Sequence, residues 1–194
     1  MSNRIITISR EFGSGGRTIG KEVAAQLGIP CYDHELIEKI AEKSGFAKEY
    51  VKERGEYTPS SSWLANALAG RDFNGHSHQD DLWNAQRAVI LDLAKKESCV
   101  IVGRCADHIL ADEADCLTVF IHASMEKRAE RIVRVYGEGG ESPEKRLKDK
   151  DKRRKAYYQL YTDTEWGIAK NYHIALDSGV LGIEKCVEII AGLY

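Results

Sequence analysis

An α/β fold is the prediction from this sequence: a parallel sheet of about five strands with helices on both faces, three layers in all. Three observations carry it. Short β-branched runs alternate with helical segments along the whole chain, the pattern of strand–helix–strand units. Glycine-rich breaks follow the strands, and ligands of such sheets bind at the carboxyl ends of the strands. The chain has 194 residues, enough for a real core in one compact domain spanning 1–194.

The elements follow in order. Arg4 to Ser9 is short and β-branched, a buried first strand. Thr18 to Leu27 is helical, with Ile19, Val23 and Leu27 on one stripe. Gly28 just past its end and Pro30 soon after stop it. Pro30 to Asp33 reads as a short second strand, and Glu35 to Glu42 as a helix with Leu36, Ile37 and Ile40 inward. Residues 55–81 change character: glycines, Pro59, a serine run and two histidines, with short helical pieces around Trp63 to Ala69. Leu82 to Lys96 is a helix carrying Val89, Ile90 and Leu93. Ser98 to Val102 and Cys116 to Ile121 are strands, and Met125 to Tyr136 is an amphipathic helix with Ala129, Ile132 and Val133 inward. Gly137 to Gly140 break it, Pro143 to Tyr161 form a strongly basic helix, and Tyr172 to Leu176 and Ile183 to Leu193 are the last strand and helix.

Composition narrows the function. Hydrophobic residues make up 43%, charged residues 30%, and the net charge is -2, so any basic site is local and a nucleic-acid polymer is not an expected partner. The five cysteines form no C-x-x-C pair, which argues against a zinc knuckle and fits a reducing compartment. No run approaches the ~18 apolar residues of a membrane span, and the expected location is cytoplasmic, with no membrane partner. His76 and His78 with Asp80 and Asp81 lack a third ligand at a fixed helical spacing and read as a solvated loop. The sequence leaves the oligomeric state open.

Chemistry concentrates in "ITISREFGSGGRTIGKEVAAQLG", residues 6–28. A strand, glycines and a helix start gather backbone N–H groups around one point, and the helix end adds partial positive charge. Gly13, Ser14, Gly15, Gly16, Arg17 and Thr18 are the candidate phosphate-binding residues. Laid on the pattern G-x-x-x-x-G-K-[ST], Arg17 replaces the lysine and Glu11 the first glycine. A planar guanidinium still grips phosphate oxygens, with a different reach. Glu11 would repel a phosphate, so it is expected to turn away or to pair with Arg10 or Arg17. The bland alternative is a glycine turn that caps a helix, with Thr18 as a helix-start residue rather than a magnesium ligand.

The same stretch, followed by "CYDHELIEKIAEKSG", resembles the cytidylate kinase-like family, related to bacterial cytidylate kinase among the P-loop nucleoside monophosphate kinases. The likeness continues through "CVIVGRCADHIL", "CLTVFIHASMEKRAERI", "KDKDKRRKAYY" and "WGIAKNYHIALDSGVLGIEKCVEII". It implies a P-loop NTPase fold, ATP as donor, magnesium, and a nucleoside monophosphate as acceptor, CMP first among them. Where cytidylate kinases read Asp-Gly-Arg-Asp, this chain reads Val102-Gly103-Arg104-Cys105. Arg104 would face the acceptor phosphate, while the two acids that help hold cytosine and ribose are gone. Asp33 falls where the family has an aspartate near the metal waters. The basic helix, within about 137–161, resembles the lid over the donor, with Lys150, Arg153 and Arg154 as phosphate contacts and Asp151 as partner. Residues 55–81 lie where such kinases place their acceptor-binding insert, which makes Trp63 and Arg71 candidate substrate contacts.

Phosphoryl transfer asks mainly for two phosphates in line, magnesium, and positive charge on the equatorial oxygens. Arg17, Arg104, Arg153 and Arg154 are therefore the catalytic candidates, Asp33, Arg104 and Arg71 the substrate-binding ones, and Thr18 and, through water, Asp33 the metal ligands. Each has a plainer reading. Arg104 could pair with Asp107 or Asp112, Asp33 could cap a helix, and Lys148–Asp151 and Asp151–Lys155 could be ordinary helix pairs. Asp177-Ser178-Gly179 could touch a donor adenine or form a simple turn. The rival functions are a P-loop kinase for another small acceptor and a nucleotide-binding regulator that has lost catalysis.

Overall fold

The structure, a computed structural model, describes residues 3–33, 39 and 78–194. The expected helix at 35–42, apart from Lys39, and the insert as far as residue 77, and with it Trp63, Arg71 and His76, lie outside the described residues. Five parallel strands form one sheet in the order β2-β3-β1-β4-β5. They are β1 (Arg4–Arg10), β2 (Cys31–Tyr32), β3 (Cys99–Val102), β4 (Asp115–His122) and β5 (Ile174–Asp177). Among the described residues the helices are α1 (Gly16–Leu27), α2 (His78–Lys96), α3 (Ala106–Ile109), α4 (Met125–Tyr136), α5 (Pro143–Thr162), α6 (Ser178–Leu181) and α7 (Ile183–Gly192).

The sheet is covered on both faces because its central strands are apolar on both. Along β1, Ile5 packs into a layer with Ile90, Ile101 and Leu110, while Ile6 and Ile8 pack on the other side with Ile19, Val23 and Ile190. Central β1 runs beside β3 and β4, with Ile8 opposite both Val102 and Val119. The loops that leave β1, β3 and β4 therefore emerge side by side at one edge, the place where such sheets bind ligands.

Two short helices, α3 and α6, were not expected. One helical turn has too few backbone bonds to announce itself in sequence; packing makes it. The helix expected from Leu82 already includes His78, so the end of segment 55–81 is helical. The last strand begins at Ile174, because Tyr172 instead closes a 3-10 turn, Ala169–Asn171, and packs its ring 4.9 Å from that of Phe120.

Candidate active site

The loop after β1 is shaped by its own glycines and by its neighbours. Gly15 has φ +84°, and a Cβ there would fall 2.5 Å from Ile183 Cδ1 and 3.1 Å from Arg131 Cζ. Only glycine fits both the angle and the space. The first helical bond of α1 runs from Ile19 N–H to Gly15 O at 3.0 Å, so the preceding amides face the loop. Ser14 is buried; its hydroxyl donates to Glu11 O at 2.9 Å, and its carbonyl accepts from Ser178 Oγ at 2.6 Å. Asp177, in turn, accepts from the Gly179 and Val180 amides at the start of α6. The turn after β5 thus braces the loop from below.

Glu11 points away from the cradle, and its partner is neither Arg10 nor Arg17 but Arg128 of α4. Arg128 Nε lies 3.3 Å from Glu11 Oε2, and Glu11 also accepts from Ala123 N–H at 3.2 Å. Burial raises the Glu11 carboxyl above its ordinary range, with Arg128 opposing the rise. The same guanidinium donates to Phe12 O at 3.1 Å, to Ala123 O at 3.1 Å and to Asp151 of α5. Asp151 accepts in addition from Phe12 N–H at 2.7 Å. It is therefore turned onto the loop rather than toward Lys148 or Lys155, and Lys155 pairs with Glu165 at 3.1 Å. Arg128 is only 5% exposed; one buried cation joins two carboxylates and the loop backbone.

Across the edge, β3 ends in a turn with three successive left-handed residues: Gly103 (φ +77°), Arg104 (φ +63°) and Cys105 (φ +54°). Such angles are sparsely populated by non-glycine residues and gather at functional sites. A Cβ at Gly103 would fall 1.9 Å from Arg10 Nη1, so a side chain there would have to displace the Arg10 guanidinium. Arg104 is 6% exposed, and among the described residues it pairs with neither Asp107 nor Asp112 and its buried Nη1 has no hydrogen-bond partner. Leaving a buried charged donor unpaired is costly.

The sequence model of the cytidylate kinase-like family matches residues 5–180. The chain belongs to the cytidylate kinase-like family. It is 28% identical over 190 residues to a cytidylate kinase of Archaeoglobus fulgidus, a match covering 95% of this chain and 91% of the relative. A solved structure of a protein from Eubacterium ventriosum superposes with a TM-score of 0.74 at 26% identity, covering 98% of each chain. A gluconokinase from Sinorhizobium meliloti, at 18% identity and a TM-score of 0.58 over 99% of this chain and 93% of that one, shares the fold. The three-layer P-loop fold is thus established, and the family is one of phosphotransferases.

Within this family member the expected site residues separate into two groups. Arg17 and Asp33 meet in an ion pair between Arg17 Nε and Asp33 Oδ2. Thr18 Oγ1 accepts from Arg131 Nη2 at 3.0 Å. Arg154 donates to Arg10 O at 3.1 Å, and its guanidinium lies 5.6 Å from the Phe12 ring centre, so it stands at the start of the loop. Arg153 is exposed on α5, and its charge reaches Glu141. Sequence reasoning missed Arg128 and Arg131, and named Arg10 only as a partner for Glu11. Arg128 did leave a signal, since it lies one turn before buried Ile132 on the same stripe of α4.

The residues present fit a magnesium nucleotide. Thr18 and Asp33 offer only oxygen donors, as magnesium prefers, and cations flank both.

Behind Arg104, Asp107 is buried and accepts from Tyr158 Oη at 2.8 Å, while its Oδ1 has no partner among the described residues. Burial raises its carboxyl above the ordinary range against the pull of the Tyr158 hydrogen bond, with His108 a smaller opposing charge. In the window between the unfolded and the raised folded value the folded state holds the extra proton, so stability falls as pH rises through it. Asp107→Asn keeps the acceptor for Tyr158 and removes the charge. Its melting temperature should exceed the parent's by more at pH 8 than at pH 4; an equal difference at both would show that Asp107 ionises freely.

Proposed function

We propose that the chain is an ATP- and magnesium-dependent kinase that phosphorylates a nucleoside monophosphate, with CMP as the acceptor the relatives' names favour. The observation that carries this reading is the buried, partnerless Nη1 of Arg104 across the edge from the phosphate loop. In this reading Arg104 grips the acceptor phosphate, and one of that phosphate's oxygens attacks the γ-phosphorus of ATP as its bond to the ADP oxygen breaks. Gly13, Ser14, Gly15, Gly16 and the Arg17 and Thr18 amides hold the donor phosphates, and Arg17 neutralises charge on the transferring group. Arg131, beside Gly15 and Thr18, adds a further cation. Bound magnesium, held by Thr18 and through water by Asp33, would neutralise phosphate charge. Helix α5 serves as the lid, with Arg153 and Arg154 as its cations, and excludes the water that would otherwise accept the phosphoryl group. Arg71 contributes to the acceptor side from the insert, and the reaction belongs to the cytoplasm.

A panel of nucleoside monophosphates with ATP and magnesium, followed for ADP, tests this. Rapid ADP with one nucleotide, CMP foremost, is the expected result. ADP only with a non-nucleotide acceptor would move the reading to another small substrate, which the loss of the acids at Val102 and Cys105 would explain. Nucleotide binding without turnover would make the chain a regulator, with the Arg17–Asp33 pair as the reason the loop does not engage.

A further inference from the structure

Gln86 on α2 is fully buried, yet both ends of its amide are used. Its Nε2 donates to the carbonyl of Arg104 at 2.9 Å, and its Oε1 accepts from Tyr157 Oη at 3.0 Å. Tyr157 itself is buried on α5, in a cluster with Cys105 and Tyr158. A buried glutamine is not chosen for packing, where a leucine would serve better; it is retained where both its donor and its acceptor are needed. Here the donor holds the middle residue of the strained Gly103-Arg104-Cys105 turn. The acceptor meets the tyrosine hydroxyl, which fixes which way the amide faces.

We propose that Gln86 is a positioning residue for Arg104: it clamps the left-handed turn by its backbone carbonyl and so aims the guanidinium, while Tyr157 ties that clamp to the basic helix. A relaxed turn would let Arg104 leave the orientation in which its Nη1 awaits an anion. This inference rests on the reading of Arg104 as the acceptor-phosphate group.

The test uses Gln86→Met, close in size but without either hydrogen bond, and Tyr157→Phe, which leaves Gln86 in place but releases its orientation. Gln86→Met should raise the acceptor KM about tenfold, the equivalent of one lost hydrogen bond, while the KM for ATP stays within about twofold. Tyr157→Phe should do the same more weakly. Amide exchange gives a readout independent of activity. Ala106 N–H bonds to Gly103 O and Ile109 N–H to Cys105 O, and both should lose protection in Gln86→Met while the amides of β3 keep theirs. Unchanged protection at 106 and 109 overturns the clamp. Lost protection with an unchanged acceptor KM, or both KM values rising together, overturns the positioning role. Should the parent phosphorylate no monophosphate, the kinase reading falls by itself; calorimetry with CMP then replaces KM, and a parent that binds no CMP overturns the proposal too. Failure of Gln86→Met to fold transfers each of these readouts to Tyr157→Phe.

Discussion

Arg128→Met is expected to destabilise the protein by about 3–5 kcal/mol, the scale for removing one member of a buried charged cluster. The loss arises from what stays behind. Glu11 and Asp151, both partly buried, would face each other without the guanidinium between them, and the Phe12 and Ala123 carbonyls would lose their donors. With the cation gone, the Glu11 carboxyl, already raised by burial, is pushed further toward the protonated form. The variant should therefore recover stability as pH falls from neutral toward 5, because the folded state then takes up protons that the unfolded state does not hold. Adding Glu11→Gln and Asp151→Asn should restore most of the loss at neutral pH. Urea unfolding of parent, single and triple variants at two pH values checks both statements. A single variant that unfolds with the parent, or that weakens further in mild acid, would show that the cluster carries no such strain.

The second large effect concerns catalysis rather than folding. Arg17→Ala is expected to lower kcat/KM by roughly 10²–10³, the range for removing one charged group aimed at a developing transition-state charge. Arg17 is half-exposed, at 52% for its side chain, so its pair with Asp33 adds little to stability. The melting temperature should scarcely move. Arg17→Lys keeps the charge and loses the planar fork, and should fall between the two. Initial ADP release with the best acceptor, alongside thermal melts, separates rate from folding. Turnover equal to the parent's would remove Arg17 from the mechanism and assign its charge to Arg131.

How far the site was legible depends on the distance over which its parts interact. The phosphate loop announced itself because strand, glycines and helix are contiguous, and glycine at left-handed angles has few substitutes. Arg104 was singled out through the resemblance, at the Gly-Arg step after β3. Arg131, whose bond to Thr18 spans 113 positions, was not found. Glu11 was expected to turn away and does, but its partner was misplaced among near neighbours, because the cation that holds it arrives on α4. Gln86 had a faint signal: it lies three, four and seven residues before Val89, Ile90 and Leu93, a polar residue on an apolar stripe.

Sequence alone determined the alternation of strands and helices, the apolar faces that make the sheet two-sided, and the glycine cradle after β1. These are local properties, written in side-chain periodicity and backbone freedom within a dozen residues. Tertiary structure alone decided which charges meet: Glu11 and Asp151 on Arg128, Asp33 on Arg17, and Thr18 under Arg131. A charged side chain reaches only a few ångströms and has many partners of opposite sign to choose from. Only the packing of helices onto the sheet selects among them.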